Sequence, residues 1–152
     1  VRVCGIDLGG PGGICVLTPN GELGSVLHWQ RLAKGLDLKG LRAIVARTLE
    51  QFEVGVVATE RPFTGRWDPR PSIGMGQREK AAIVKEVCQE RRVLFVQYPP
   101  ASIKVAVTQN GRATKEQVGR AVRRALRIPT DDGHVLDAGA IAMVALSREG
   151  RR

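Results

Sequence analysis

Most of the 15 acidic residues in this 152-residue chain sit where a solvated surface would put them, but three do not. Asp7 closes an apolar opening segment and is followed at once by Leu8-Gly9-Gly10-Pro11-Gly12-Gly13. Glu60 closes the β-branched run from Val54 to Thr59. Asp137 lies between Leu136 and Ala138 in a stretch apolar nearly all round, where a carboxylate is costly unless paired or bound to a metal. His134 stands three residues before it, a spacing that projects both side chains from one helix face. Three carboxylates and an imidazole supply mainly hard oxygen donors, which suit Mg²⁺ or Mn²⁺. Two such ions could activate a water and steady the leaving oxygen of a phosphodiester. Plainer roles compete for each residue. Asp7 could serve only its own glycine turn, Glu60 could pair with an arginine of the loop that follows it, and His134 could be an ordinary helix-start histidine. Asp131 and Asp132 read as helix caps.

These side chains can meet only if the elements carrying them place them at one edge. Val1 to Asp7 reads as a strand entering a glycine-rich turn, and Ile14 to Thr18 as a second strand. Pro19-Asn20-Gly21 predicts a hairpin turn and Leu23 to Trp29 a third strand, giving an antiparallel meander. The period then changes. Leu38, Leu41, Val45, Leu49 and Phe52 recur at helical spacing. Val54 to Thr59 predicts a strand buried on both faces, and the proline- and glycine-rich residues 61–74 a loop. Residues 75–90 predict a helix with Ala82, Ile83, Val87 and Cys88 inward. A strand at Val93 to Val96 and a short helix from Pro100 through Val107 come next. Thr114 with Gln117 forms a capping box opening a helix with Val118, Ala121, Val122, Ala125 and Leu126 inward, ended by Pro129. The last helix spans about Gly133 to Ser147, and its apolar circumference predicts burial. The order β-β-β-α-β-α-β-α-α-α implies an α/β fold, a mixed five-stranded sheet with helices on both faces. If strands one and four are parallel neighbours, Asp7 and Glu60 leave the same sheet edge, where open α/β sheets build their sites.

Composition narrows the function. Lys plus Arg total 24 against 15 Asp plus Glu, a net charge of +9. Residues 1–59 hold six bases and five acids, so residues 60–152 hold the remaining eighteen and ten. Such an excess favours a polyanionic partner, nucleic acid above all. The length suits one domain, residues 1–152, and no apolar run reaches the roughly 20 residues of a membrane span. No signal peptide is expected, and Cys4, Cys15 and Cys88 read as buried thiols of a reducing compartment, so a cytoplasmic location is expected. Phe63 and Trp67, two of only six aromatics, stand among Arg61, Arg66 and Arg70. Aromatic rings in a basic loop can stack on unpaired bases or wedge between base steps. Alternatively, both rings anchor the loop to the core.

These motifs resemble the RuvC family of Holliday-junction resolvases along nearly the whole chain. Gly5-Ile6-Asp7-Leu8-Gly9 is similar to the family's opening strand motif, with Leu8 in place of the usual proline. Thr59-Glu60-Arg61-Pro62-Phe63 resembles its second acidic motif. Gly76-Gln77-Arg78 resembles the start of its dimer-forming helix, and Pro100 to Lys115 its basic segment, with Lys104 and Lys115 at the two lysine positions. His134-Val135-Leu136-Asp137-Ala138 resembles the closing acidic motif, with Gly139 where a larger apolar residue is common. The resemblance implies an RNase H-like fold, a homodimer, and metal-dependent nicking of two opposed strands at a four-way DNA junction in recombination and repair. It further implies that Asp7, Glu60, His134 and Asp137 hold the ions and that Lys104 and Lys115 lie at the cut phosphate. Phe63 would lie against bases, and Arg61, Arg66, Trp67, Arg70, Arg78 and Arg112 would join the DNA-binding surface. Branch-migration machinery would be a further partner. Three other classes stay open: a catalytically degenerate architectural protein that binds junctions, an RNase H-like nuclease for other branched DNA or RNA, and, from the opening Gly-Ile-Asp-Leu-Gly-Gly alone, an actin-like sugar kinase. The last needs two such domains around a nucleotide, and the chain has the length of one.

Overall fold

The computed structural model describes residues 1–21, 23–62 and 71–151. Its elements are β1 (Val3–Asp7), β2 (Gly12–Asn20), β3 (Leu23–Leu32), α1 (Leu38–Gln51), β4 (Val56–Glu60), α2 (Pro71–Glu90), β5 (Leu94–Tyr98), α3 (Pro100–Thr108), α4 (Lys115–Leu126) and α5 (Gly133–Glu149). The five strands form one mixed sheet in the order β3-β2-β1-β4-β5. β1 is antiparallel to β2 and parallel to β4, with Ile6 opposite Thr59. Asp7 and Glu60 therefore leave adjacent strands at the same edge, as the sequence predicts.

The sheet separates two apolar layers. Ile6, Ile14 and Val57 face Leu41, Val45 and Val84 of α1 and α2. Val3, Cys15 and Ala58 face α3, α4 and α5, where Val122, Ile141 and Val144 pack. Each fully buried aliphatic side chain contributes roughly 1.5–3 kcal/mol. All three cysteines are buried and unpaired. Burial pushes the Cys15 and Cys88 thiols up to about 12, and Cys4 is raised as well, so none is a ready nucleophile. Among the described residues no helix is long and apolar enough to cross a membrane.

Several boundaries differ from the sequence-based expectation, each for a local reason. β2 begins at Gly12 rather than Ile14, and Gly13 pairs with both Asp7 and Arg31. Pro19 and Asn20 belong to β2, and the hairpin closes at Gly21 (φ +63°). Pro19 is tolerated because β1 pairs with β2 only as far as Leu17, so no ladder bond is asked of its missing N–H on that side. β3 runs on to Leu32 as an edge strand. α2 starts at Pro71 instead of residue 75, since proline suits the first turn of a helix. On α2, Ala82 is exposed rather than inward; Ala81, Val84, Val87 and Cys88 hold the buried stripe at three- and four-residue steps. Leu38 at the start of α1 is also exposed. α4 ends at Leu126 with left-handed Arg127 as its cap, two residues before Pro129.

α5 is buried over most of its surface and lies across β1 and β2. Gly5 makes this approach feasible. A Cβ there would overlap the Ala138 carbonyl oxygen and the Ala142 amide nitrogen, both helix backbone that cannot swing aside. Gly5→Ala is therefore expected to destabilise the fold by about 1–3 kcal/mol, a loss on the order of 5–10 °C in Tm. Gly76→Ala, where a Cβ meets open space, should leave Tm level or slightly raised. Thermal melts of the two variants check this, and a Gly5→Ala protein melting with the parent contradicts the close packing.

Candidate active site

Asp7 serves two partners at once. Its Oδ1 accepts the Gly9 N–H at 3.0 Å, fixing the first bend of the glycine-rich turn. Its Oδ2 faces the His134 Nδ1 at 3.0 Å across the gap to α5. The turn-holding role and the site role are thus divided between the two oxygens. Lys80 on α2 braces the same turn by donating to the Leu8 carbonyl at 3.4 Å.

The start of α5 is set from below and from its own cap. A Cβ on Gly13 would run into the His134 carbonyl, so glycine lets the first turn of α5 sit directly on β2. Asp132 caps the helix, its Oδ1 accepting the N–H groups of His134 (2.9 Å) and Val135 (3.3 Å). Such a cap contributes about 1 kcal/mol. Arg31 on β3 holds the same carboxylate at 3.5 Å. Asp131 does not cap; it pairs with Arg123 of α4.

The outcome is a tight group. One ligand atom each from Asp7, His134 and Asp137 lie within 4.8 Å of one another, all three side chains half-buried. Glu60 stands beside the group rather than in it. It lines a cleft of about 280 Å³ together with Lys104, Lys115, Ile103 and Asp137. Lys115 reaches Asp137 at 3.5 Å.

The electrostatics follow from the crowding. Loss of water raises the Glu60 carboxyl above the ordinary range, and the charges of Asp7 and Asp137 raise it further; Lys104 and Lys115 pull the other way. Asp137 is raised chiefly by burial and also by Asp7, with Lys115 and His134 opposing. Carboxylates placed where ionisation is disfavoured, beside an imidazole, form a donor set that a divalent cation would relieve.

Of the other residues singled out in the sequence, Lys104 and Lys115 line the cleft. Arg61, Arg78 and Arg112 are exposed, and no described contact joins their side chains to the cluster. Phe63, Arg66, Trp67 and Arg70 lie outside the described residues. Lys80, Arg31 and Gly13 were not anticipated as supports of the site. Nothing in the spacing of Lys80 or Arg31 marks them, because their partners are distant in the chain.

A family profile described as crossover junction endodeoxyribonuclease RuvC matches residues 26–145. The chain belongs to the RuvC family. The RuvC protein of Thermobifida fusca is 35% identical over 114 residues, 73% of this chain and 60% of that protein. The Helicobacter pylori protein (strain 26695) is 37% identical over 103 residues, 68% of this chain and 63% of that protein. The match thus spans 60–63% of these curated relatives' length. Among solved structures, Thermus thermophilus RuvC superposes with a TM-score of 0.82 at 26% identity, covering 99% of this chain and 97% of that one. The matched family segment begins after Asp7, but this structural match extends over β1 as well. The mixed five-stranded sheet with its flanking helices is the RNase H-like fold of these RuvC neighbours.

The raised carboxyls have a stability consequence. An acid held above its ordinary value favours the fold at pH below that value, and the advantage is lost as pH rises through the raised one. With a chelator present, Asp137→Asn should melt above the parent at pH 7–8, and the gap should close as pH falls towards about 4. Paired melting curves across that range check this. A variant that melts below the parent at neutral pH contradicts it.

Proposed function

We propose that this RuvC-family chain is a structure-selective endonuclease that resolves four-way DNA junctions by divalent-cation-dependent nicks in opposed strands. The observation that carries this reading is the convergence of Asp7, His134 and Asp137, with Glu60 and two lysines beside them, at one edge of the sheet. The match to T. thermophilus RuvC in complex with a Holliday junction substrate, at a TM-score of 0.81 and 26% identity over 94% of this chain and 91% of that one, supports the substrate class.

The donor set fits Mg²⁺ or Mn²⁺: Asp7, His134 and Asp137 would hold one ion, and Glu60 with Asp7 would border a second. Bound there, the ions would supply a polarised water and neutralise the charge of the attacked phosphate. The protein's own groups do the positioning. The Gly9 amide fixes Asp7 Oδ1 and leaves Oδ2 directed at α5. Asp132 and Arg31 hold the first turn of α5, and so the relative placement of His134 and Asp137. Lys104 and Lys115, on the wall of the Glu60 cleft, would meet the phosphate at the cut. Arg61, Arg78 and Arg112 would widen the DNA-binding surface. Phe63, Arg66, Trp67 and Arg70 would act on the bases and backbone at the crossover.

Two symmetric cuts call for two sites, so the reading includes a homodimer. On α2 the core consumes Val84, Val87 and Cys88 and leaves Ala82, exposed, and Ile83, half-buried, beside it.

The test uses a synthetic four-way junction, a linear duplex and an RNA–DNA hybrid, with Mg²⁺ or Mn²⁺. The parent should cut the junction selectively. Asp7→Asn, which keeps the shape and removes a charge, should lose several orders of magnitude in cleavage. Its junction affinity without metal should stay level or rise, since one negative charge near the DNA is gone. Preferential cutting of the hybrid would replace the substrate assignment. Near-parental cutting by Asp7→Asn would overturn the site.

A further inference from the structure

One strongly charged surface takes no part in the site above. α4 is sharply two-sided: Val118, Val122 and Leu126 are buried, while Arg120, Arg123, Arg124 and Arg127 are exposed. At 3.6 residues per turn Arg120, Arg123 and Arg124 fall within roughly 100° of arc, and Arg127 follows as the left-handed cap. They stand three and four residues apart, a spacing at which like charges repel and weaken a helix. Glu116 stands four residues before Arg120 on the same helix, with no described ion pair between them. Asp131 pairs with Arg123, and no ion pair reaches Arg120, Arg124 or Arg127 from any described residue.

The face is also connected to the candidate active site. A cleft of about 390 Å³ lies between α4 and the start of α5, lined by Lys115, Arg120 and Arg123 together with Glu116, Asp131 and Asp137. It shares Lys115 and Asp137 with the Glu60 cleft. Arg120 borders a second cleft of about 370 Å³, with Thr108, Asn110, Gln117 and Arg124 on its walls. The basic side chains therefore start at Lys115 among acids and lead away along the helix axis, where Arg124 and Arg127 have no acid paired with them among the described residues. From Lys115 to Arg127 this is about 18 Å at 1.5 Å per residue, close to five base pairs at 3.4 Å each.

We propose that the outer face of α4 is a phosphate track for the duplex arm leading away from the cut, with Arg120, Arg123, Arg124 and Arg127 as its contacts. This rests on the junction-cleaving reading and adds a site to it. A duplex backbone suits the face because it relieves the repulsion among the four guanidiniums, and because a regular row of charges meets a row of phosphates. Asp131 holds Arg123 until a phosphate competes for it.

The test measures metal-free junction affinity across a salt series, using junctions that carry neutral methylphosphonate linkages in successive windows from the cut. For the parent, a neutral window within about five base pairs of the cut should weaken binding. Arg120→Gln/Arg124→Gln should bind more weakly, with a salt slope lower by about two. It should also respond less than the parent to that same window. Asp131→Asn, which frees Arg123, should bind several-fold more tightly, a gain that misfolding cannot imitate. A double variant with the parental salt slope, or one that still responds to the window as the parent does, overturns the track. Junction cleavage by the parent reports separately on the underlying reading. A parent that cuts junctions but shows no sensitive window overturns the track alone, and a parent that neither binds nor cuts junctions overturns both.

Discussion

The structure depends on how closely α5 approaches the sheet. The helix lies over β1 and β2 because Gly5 and Gly13 present no Cβ to its backbone. That contact lowers the first turn of α5 until the His134 imidazole meets the Asp7 carboxylate at 3.0 Å. If the helix rode higher on larger side chains, Asp7 and the α5 pair would be separated by a layer of core. The same approach accounts for the apolar circumference of α5, which is enclosed by the sheet on one side and by α3 and α4 on the other.

Crowding the acids has an electrostatic cost that the fold does not cancel by itself. Lys115 and Lys104 offset part of it, but Glu60 and Asp137 remain raised. Both lysines moderate the carboxylates in the free protein, and on the proposed reading they would also meet a phosphate. The basic helix α4 begins at one of them, so the acidic edge and the arginine face of α4 adjoin.

Much of this was legible in the sequence, for identifiable reasons. The element order followed from changes in hydrophobic period, and Asp137 stood out because a charge inside an apolar helix demands an explanation. Asp7 and Glu60 could be paired once their strands were taken as parallel neighbours. What escaped detection depended on contacts between distant segments. Gly13 looks like a loop residue until the helix above it is known. Arg31 and Lys80 carry no local mark of their links to Asp132 and Leu8. On α2 the sequence pattern points Ala82 inward, whereas packing against α1 and β5 buries Ala81 instead. Asp131 and Asp132 both suit a cap, and only the tertiary position of Arg123 separates them.

The central claim is that Asp7, His134 and Asp137 form one cation site at the sheet edge. Paramagnetic Mn²⁺ added at substoichiometric levels to the DNA-free protein tests it most directly, read by loss of amide signals in a ¹H–¹⁵N spectrum. The account predicts broadening centred on residues 7–9 and 134–137, fading with distance, and abolished in Asp7→Asn. Broadening centred on other acids, such as Glu86 and Glu90, or spread evenly over the surface, would contradict it.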